Sequence, residues 1–385
     1  VYTANSNISN VYFDKFCYKN TAISAQICMT SAGATLSTTN SDFFSGLFID
    51  ASTVSGQTDL IKWQKIGEKY YLFAPACADI NALKLYVNGT STALLDGNEI
   101  VNGEPTAALA DGKEHTLTAC SNTYTVIAMQ SENIPAVFIN TKSGNMDYIN
   151  AKKGNKESGY TVIVDADGKV EYDNTLDQIK GRGNSTWTCE KKPYNLKLAK
   201  KTNLFGLGKS KKWSILANYY DQSLIRNSIM YDLAAEVGIR SHDCKTVDVY
   251  FNGEYNGNYL LTEKVDIEET KVNIENMQDR TEEANPDIDI EKCPLAGDRS
   301  TNPGARKYVD IPNNPEDITG GFILEFDFQD RYAEEISGFV TNRGQCVVVK
   351  EPEYATKAQV DYIADYFQHF EDALYSETGY NDLGK

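Results

Sequence analysis

Alternating apolar and polar residues between positions 69 and 127 predict a set of β-strands. Four runs, KYYLFAPA, LKLYVNG, EHTLTAC and TYTVIAMQ, show this pattern, and Asn88-Gly89 favours a tight hairpin. We therefore predict a small β-sandwich of immunoglobulin type over residues 66–128. Residues 1–65, which are rich in Ser, Thr, Asn, Ala and Gly, are predicted to be a β-rich N-terminal region of unassigned type.

From about residue 131 the pattern mixes strands and helices, so residues 129–385 are predicted to form one mixed α/β domain. The segment DQSLIRNSIMYDLAAEVG predicts a helix whose apolar residues recur every four positions, at Leu224 or Ile225, Ile229, Leu233 and Val237. Asp221 or Ser223 can cap this helix, and Gly238 ends it. With the preceding β region, the predicted fold class is α+β.

A second predicted helix begins at Thr356, which forms a capping box with Gln359. Its buried stripe is expected to comprise Val360, Ile363, Phe367, Phe370 and Leu374. Two hairpins are predicted in the same domain, at Asp167-Gly168 and Asn252-Gly253. Strands GGFILEFDF and QCVVVK follow a polar, proline-bearing insertion, about 279–317.

Charge restricts the possible partners. The net charge of −17 argues against nucleic acid and against an anionic membrane surface, because both attract basic proteins. No run of about 18 apolar residues exists, so no membrane span is predicted. An acidic surface is compatible with a secreted, soluble protein.

The eight cysteines contain no C-x-x-C pair, and the three histidines are far apart in sequence, so a zinc site is not expected. The even count fits disulfides in an oxidising compartment, and equally fits eight buried thiols in a reducing one. Cys77 lies in the first strand of the predicted sandwich and Cys120 near its end. We predict that these two pair.

The stretch QIKGRGNSTW, followed by KKPYNLKL, combines a glycine turn with cationic side chains. Backbone N–H groups in a turn at Gly183, Asn184 and Ser185 can form an anion-binding nest, and Arg182 offers paired donors to phosphate oxygens. Lys192 or Lys197, on the next predicted strand, could reach the same anion. Composition alone favours the alternative, an ordinary surface hairpin.

The order of elements supports the phosphate site. A turn, a lysine strand, a helix and a hairpin ending in YLLTEKVD follow one another as in the small lobe of protein kinases. In that comparison Glu263 and Val265 stand where the adenine hinge begins. Two roles are open for Asp221, Arg226 and Asn227 at the start of the helix. They either hold the phosphate-binding side chains in position, or they cap the helix and form a buried hydrogen-bond network.

The chain from about 133 to 375 resembles the CotH family, the atypical kinases similar to spore coat protein H. The resemblance rests on IPAVFINT, DQIKGRGNSTW, KKPYNLKL, KKWSILANYYDQSLIRN, YDLAAEVGI, VDVYFNGEYNGNYLLTEKV, ITGGFILEFD and VVVKEPEYATKAQVDYI, in family order. It implies a secreted or surface bacterial protein with a kinase-like fold. The implied cofactor is ATP with Mg²⁺ or Mn²⁺, and the implied acceptor is a protein. The β-sandwich predicted before this stretch, over residues 66–128, resembles the cadherin-like module of such proteins.

The same resemblance implies where catalysis would be carried out. In the family, an Asn-x-Asp stretch and a Trp-Asp-x-Asp stretch follow the helix that matches Thr356 to Tyr375. Their aspartates hold the metal and act in catalysis, so catalytic residues are expected beyond residue 385 and none within the chain. Inside the match, Cys189 stands near a position that is often proline in the family.

The residues and the family resemblance together indicate two alternative functions. The first is a kinase of the CotH type, in which this chain alone would be inactive. The second is a non-catalytic extracellular protein, for adhesion or scaffolding, that uses a kinase-like fold as structure.

Overall fold

The structure is a computed structural model that describes residues 43–46, 60–87, 92–101, 104–119, 122–265, 267–268 and 271–384. Of residues 43–46, only the backbone is described. The chain divides into two units, Val1–Lys264 and Val265–Lys385. The boundaries predicted at residues 65 and 128 both fall inside the first unit, and they remain predictions about domains.

The first part of unit one is built from two sheets. A four-stranded sheet has the order β2-β1-β5-β8, and a six-stranded sheet has the order β3-β4-β10-β9-β6-β7, in which β4 and β10 are parallel. The strands are β1 Phe43–Gly46, β2 Leu60–Lys62, β3 Gln64–Ile66, β4 Lys69–Ala74, β5 Leu83–Val87, β6 Thr92–Leu95, β7 Asn98–Val101, β8 Pro105–Thr106, β9 His115–Ala119 and β10 Asn122–Gln130.

Both sheets contribute to one hydrophobic cluster. Leu83 and Leu85 of β5 and Leu72 of β4 belong to it, and so do Tyr250 and Tyr255 from the following part of the unit. The cluster therefore extends across the boundary predicted at residue 128. The immunoglobulin-like or cadherin-like assignment of this region stays a prediction, and the Asn88-Gly89 hairpin lies outside the described residues.

The rest of unit one is a closed barrel of seven strands in the order β11-β12-β13-β14-β15-β17-β16. All neighbours are antiparallel except β11 and β16. The strands are β11 Ala136–Thr141, β12 Lys156–Val164, β13 Val170–Gly181, β14 Tyr194–Asn203, β15 Lys209–Leu216, β16 Cys244–Phe251 and β17 Glu254–Glu263, with helices α1 Asp147–Ala151 and α2 Arg226–Glu236. Alternate residues point inward and fill the barrel with apolar side chains.

Both hairpin turns predicted within the barrel are confirmed. Asn252 and Gly253 have φ of +50° and +84° between β16 and β17, as a tight turn with two left-handed residues requires. The turn at Asp167-Gly168 joins β12 to β13, and Gly168 has φ of +91°. Glycine and asparagine adopt this conformation at small cost, which is why such turns can be recognised from sequence.

Helix α2 is confirmed, but its predicted apolar stripe is not buried. Ile229, Leu233 and Val237 are 52%, 47% and 63% exposed. Leu224, with φ of +62°, lies ahead of the helix. The helix ends as predicted at Gly238, whose N–H donates to Ala235 O at 3.0 Å. The periodic pattern therefore located the helix without showing what its apolar side contacts.

Unit two has a five-stranded sheet in the order β18-β19-β21-β22-β20. Its strands are β18 Leu295–Gly297, β19 Arg306–Val309, β20 Ile323–Asp327, β21 Gly338–Val340 and β22 Cys346–Glu351, and its helices are α3 Met277–Glu283, α4 Gln329–Tyr332 and α5 Lys357–Leu374. The polar, proline-bearing insertion, about 279–317, contributes two of these strands, β18 and β19. Because they are three and four residues long, they carry little periodic signal.

The capping box of α5 is confirmed, with Thr356 and Gln359 bonded reciprocally. The predicted stripe is confirmed as far as Phe367. Val360 and Ile363 are buried in a hydrophobic cluster and Phe367 packs against it beside Phe339 of β21, whereas Phe370 and Leu374 are 53% and 62% exposed. Within the described residues the stripe therefore packs on the sheet up to Phe367 and not over the last two turns of the helix.

The described cysteines are Cys77, Cys189, Cys244, Cys293 and Cys346, and all are free. Cys120, the predicted partner of Cys77, lies outside the described residues, so that pairing stays a prediction. Burial raises the pKa of the Cys77 thiol to about 12. A thiol with so high a pKa is protonated and unreactive at neutral pH.

Candidate functional site

The loop between β13 and β14 takes its shape from two glycines and the side chains that pack on them. Gly181 ends β13, and Gly183 follows with φ of +76°. A Cβ on Gly181 would collide with the Trp187 ring, and one on Gly183 would collide with the Thr186 hydroxyl. Local packing therefore requires both glycines of the GRGNSTW stretch, whether or not an anion binds there.

Lys192 lies ahead of β14, which begins at Tyr194, and not on the strand as predicted. Its Nζ donates hydrogen bonds to Trp187 O at 2.8 Å and to Cys189 O at 3.0 Å. The same ammonium group lies 4.9 Å from the centre of the Trp187 ring. Lys192 therefore satisfies carbonyls at the end of the 3-10 turn Ser185–Thr188 and stacks on its aromatic side chain.

Lys192 and Arg182 lie on opposite faces of the barrel wall. Successive residues of an extended chain point to opposite faces, and the Trp187 ring that Lys192 contacts covers Gly181. Arg182 follows Gly181, and its backbone N–H continues the ladder to Pro193 O at 3.1 Å. Lys192 borders a cavity of about 460 Å³ that Arg182 does not line. Arg182 and Lys192 therefore do not face one surface, and the binding of a phosphate by either of them stays a prediction.

Arg182 is half-buried on the outer face, near helix α2. Burial lowers the pKa of Arg182, and the Tyr231 phenol of α2 acts in the opposite direction. Burial raises the pKa of Tyr231, and the Arg182 charge counteracts that rise. No carboxylate among the described residues contributes to the pKa of Arg182. In that part of the chain its positive charge is not balanced by an acid.

A row of polar side chains crosses the same outer face. Lys180 is in register with Asn195, Asn195 with Ser214, and Ser214 with Thr262. Residues directly opposite in antiparallel strands share a face, and Ser214 Oγ donates to Asn195 Oδ1 at 2.7 Å. Arg182 follows Lys180 by two residues, so it lies on this face as well.

Lysines dominate the hairpin formed by β14 and β15. Lys197, predicted to bind an anion, is exposed on β14 and stands directly opposite Lys212 of β15. Residues 191–220 contain eight lysines and no Asp or Glu, although the chain carries a net charge of −17. Like charges directly opposite one another repel across a sheet.

We call the outer surface that carries these groups the basic face. It comprises Lys180, Arg182, Asn195, Lys197, Lys212, Ser214 and Thr262. Of the predicted site residues, the basic face includes Arg182 and Lys197.

The two loop residues next to Gly183 are tied to the protein around them. Asn184 is exposed, and its Oδ1 accepts a hydrogen bond from Lys153 Nζ at 3.1 Å. Ser185 is also exposed, and its carbonyl accepts a hydrogen bond from the Thr188 hydroxyl at 2.7 Å. The hydrogen bonds of both residues thus stabilise the turn that begins at Ser185.

The predicted hinge residues lie on either side of the division between the units. Glu263 is buried at the end of β17, and its Oε1 is 3.8 Å from Arg240 Nη2. Val265 is 45% exposed and opens unit two. The role of this pair in a nucleotide hinge stays a prediction.

Asp221 and Asn227 make local hydrogen bonds at the start of helix α2. Asp221 accepts hydrogen bonds from Ser223 N at 3.0 Å and from Arg226 N at 2.8 Å. Asn227 Nδ2 donates to Asn218 Oδ1 at 2.8 Å. The capping alternative considered for Asp221, Arg226 and Asn227 therefore accounts for the contacts of Asp221 and Asn227.

Sequence reasoning did not assign five residues of the basic face to the site, Lys180, Asn195, Lys212, Ser214 and Thr262, nor Tyr231 beside it. Asn195, Ser214 and Thr262 belong to no motif, and only the register of β14, β15 and β17 aligns them. Tyr231 adjoins Arg182 through the packing of α2. The alternation of apolar and polar residues in YNLKL and WSIL indicates which side chains point out of the barrel. It does not show which strands pair with each other.

Neither a metal-binding cluster nor a membrane-spanning helix occurs in the described ranges. Within them, no three His, Cys, Asp or Glu side chains are placed to hold a metal ion. None of the described helices combines the length and apolar character needed to cross a membrane.

Comparison with known proteins gives a family match. A family model described as "CotH kinase protein" matches residues 179–385, from the end of β13 onward. No curated protein matches the chain. A solved structure from Bacteroides thetaiotaomicron, described as a "putative glycoside hydrolase", aligns at 13% identity over 57% of this chain and 55% of its own chain, with a TM-score of 0.16. This chain thus spans about half of that structure's length. A TM-score of 0.16 does not indicate a shared fold.

Proposed function

Because the chain belongs to the CotH kinase protein family, we propose that it is a secreted or cell-surface bacterial protein whose kinase-like fold transfers phosphate from ATP to a protein acceptor. The observation that carries this proposal is the basic face. An acidic chain concentrates cations on one side of three neighbouring strands, and Arg182 there has no acidic group acting on its pKa among the described residues.

The basic face suits the phosphates of a nucleotide. Arg182 offers planar paired donors that match phosphate oxygens, and Lys180 and Lys197 add charge. Ser214 and Thr262 stand in the same row, but both are buried, and their hydroxyl groups donate to Asn195 Oδ1 and Asp243 O. The three cations would bind and orient the phosphates, and the nucleotide would supply the phosphoryl group that is transferred.

The described residues fit the phosphates of the nucleotide, but they do not fit the metal ion that the family implies. No group of three or more His, Cys, Asp or Glu within them is placed for a cation. Mg²⁺ and Mn²⁺ prefer carboxylate and carbonyl oxygens, and the basic face has no carboxylate among its residues. We therefore assign the face to phosphate binding alone.

The second candidate function is a non-catalytic extracellular module. It is favoured by one observation, the engagement of Lys192. The residue expected to contact phosphate donates to two carbonyls of its own loop and stacks on Trp187. In this alternative the basic face would be a surface of the scaffold without a nucleotide.

Calorimetric titration with ADP, without metal, tests the proposal. We expect ADP to bind the wild-type chain and Arg182→Gln to weaken binding by roughly 10-fold to 100-fold, because a hydrogen bond to a charged group contributes about 1.5–3 kcal/mol. Lys192→Gln should lower the melting temperature and leave the ADP affinity within about twofold.

Arg343→Gln is the matched control, since Arg343 is exposed in unit two and stacks on Tyr375. It should change neither property. If the wild-type chain shows no heat of binding with millimolar ADP, the nucleotide proposal fails and the non-catalytic module is supported. If Lys192→Gln abolishes binding and Arg182→Gln does not, the phosphates lie on the cavity side of the loop.

A further inference from the structure

The open cavity at one end of the barrel, bordered by Lys192, is separate from the basic face. It has a volume of about 460 Å³, within the range of roughly 300–1,000 Å³ that small-molecule pockets occupy. Three parts of the barrel close around it: the segment that leads into α1, the loop before β14 and the hairpin turn between β16 and β17. Lys62 of β2 completes the lining.

Amide side chains and carboxylates supply most of the polar lining. The amides are Asn145, Asn150, Asn252 and Asn256, and the carboxylates are Asp147, Glu190 and Glu254. The amides both donate and accept hydrogen bonds, and the carboxylates accept them. Such a lining matches a ligand with many hydroxyl groups, each of which is both donor and acceptor.

The two lysines of the lining are already engaged. Lys62 Nζ lies 3.4 Å from Glu254 Oε1, and Lys192 Nζ donates to the carbonyls of Trp187 and Cys189. Three carboxylates against two engaged lysines leave the cavity weakly negative. A phosphate or carboxylate ligand is therefore disfavoured, and a neutral one is favoured.

An aromatic corner gives the cavity an apolar wall. The rings of Tyr194 and Phe251 meet edge to face, with centres 5.1 Å apart, and Tyr194 OH donates to Asn150 Oδ1 at 2.7 Å. An aromatic ring presents a flat apolar surface with a polar edge. Both rings are largely buried in the barrel core, so a sugar ring would contact only the small part of them that borders the cavity while its hydroxyl groups reach the amides.

Asn252 carries an unsatisfied donor in this lining. Its Oδ1 accepts from Thr141 N at 2.9 Å, and a backbone N–H can only donate, so the orientation of the amide is determined. The opposite atom, Nδ2, is buried and has no hydrogen-bond partner within the described residues. The tight turn explains why residue 252 is asparagine, but it leaves this N–H₂ group without an acceptor.

We propose that this cavity binds a neutral saccharide, with the Asn252 amide donating to a ligand hydroxyl oxygen. Asn252 fixes the ligand beside the β16–β17 turn, Glu190 accepts from a second hydroxyl, and the Tyr194–Phe251 corner supports one ring face. The site is independent of the nucleotide proposal, because its residues lie on the other side of the barrel wall from Arg182.

Saturation-transfer NMR and calorimetry with the full chain test this proposal. The probes are three neutral disaccharides: maltose, cellobiose and N,N′-diacetylchitobiose. We expect at least one to bind, and Asn252→Asp to weaken it about tenfold, since the substitution keeps the acceptor for Thr141 N and removes the N–H₂ donor. Glu190→Gln, at an exposed position, should weaken it several-fold without affecting folding.

Asn174→Asp is the matched control, because Asn174 Oδ1 also accepts a backbone N–H bond, from Thr175 at 2.8 Å, and does not line the cavity. Its disaccharide affinity should equal that of wild type. The proposal is overturned if none of the three probes shows saturation transfer at millimolar concentration, or if Asn252→Asp and Asn174→Asp bind alike. Inorganic phosphate that competes with the disaccharide would also overturn it. The ADP titration of Asn252→Asp should match wild type, which separates this test from the nucleotide proposal.

Discussion

His115 is held between two aspartates. Its Nδ1 lies 2.6 Å from Asp96 Oδ2, and its Nε2 lies 2.8 Å from Asp111 Oδ1. Burial acts to lower the pKa of His115, but the hydrogen bonds to Asp111 and Asp96 outweigh it, so the pKa is raised. Hydrogen bonds from Lys113 N and from His115 lower the pKa of Asp111 to about 2.

These shifts predict a pH dependence of stability. A raised histidine pKa contributes stability that is complete below the unfolded value of about 6.5 and is lost as pH rises through the folded value. A lowered aspartate pKa contributes stability above the unfolded value of about 3.9, which is lost as pH falls toward the folded value. His115→Asn should therefore reduce the free energy of unfolding more at about pH 5.5 than at about pH 9.

Urea denaturation at the two pH values measures this difference. His369→Asn is the control, because that side chain is exposed and should give equal, small changes at both. If His115→Asn costs the same at both pH values, the imidazole is not protonated between its two carboxylates.

At the scale of elements, the loop between β13 and β14 is a packed unit built around Trp187. The ring covers Gly181, lies edge to face with Tyr194 at 6.0 Å and receives the Lys192 ammonium on its face. A side chain at position 181 would enter the space that the ring occupies. The ring, the glycine and the lysine are therefore expected to be energetically coupled.

We predict that Gly181→Ala lowers the free energy of unfolding by about 1–3 kcal/mol, because overpacking forces neighbouring groups to shift. In a Trp187→Leu background the same substitution should cost clearly less, since the colliding ring is gone. A double-mutant cycle by urea denaturation measures the coupling. Gly154→Ala, which meets no atom within 4 Å, should be neutral. Additive effects of Gly181→Ala and Trp187→Leu would contradict the packing account.

At the scale of the whole molecule, charge is distributed unevenly. The chain carries 54 acidic and 37 basic residues, yet residues 191–220 hold eight lysines and no acid. An electropositive surface on an acidic protein attracts anions over a distance set by ionic strength. This charge separation bears on the nucleotide proposal, because phosphates would be drawn to the basic face.

ADP affinity should therefore fall with salt, since the screening length shrinks from about 10 Å at 0.1 M to about 3 Å at 1 M. We predict a several-fold weaker ADP affinity at about 0.5 M NaCl than at about 0.1 M, measured by calorimetry. Disaccharide binding in the cavity provides the contrast, because a neutral ligand should be little affected. An ADP affinity independent of salt would show that the basic face does not bind the phosphates.

Local signals in the sequence determined several features of this protein. The turn at Asn252-Gly253, the end of α2 at Gly238 and the capping box of Thr356 with Gln359 follow the expected chemistry. The α+β class was also predicted, and among the described residues strand accounts for 40% and helix for 18%. The family was identified from motif order and is confirmed by the match over residues 179–385. The turn, the helix end and the capping box depend on residues that are neighbours in the chain, and the family depends on the order of motifs along it.

Tertiary structure alone decided which of the predicted side chains can act together. The sequence places Arg182 and Lys192 ten residues apart, but the alternation of the strand and the packing of Trp187 send them to opposite faces. Closure of the barrel brings Asn252 to Tyr194 around one cavity, and the register of three strands aligns Asn195, Ser214 and Thr262. These arrangements depend on pairing between distant segments, and such pairing leaves no periodic pattern in either segment by itself.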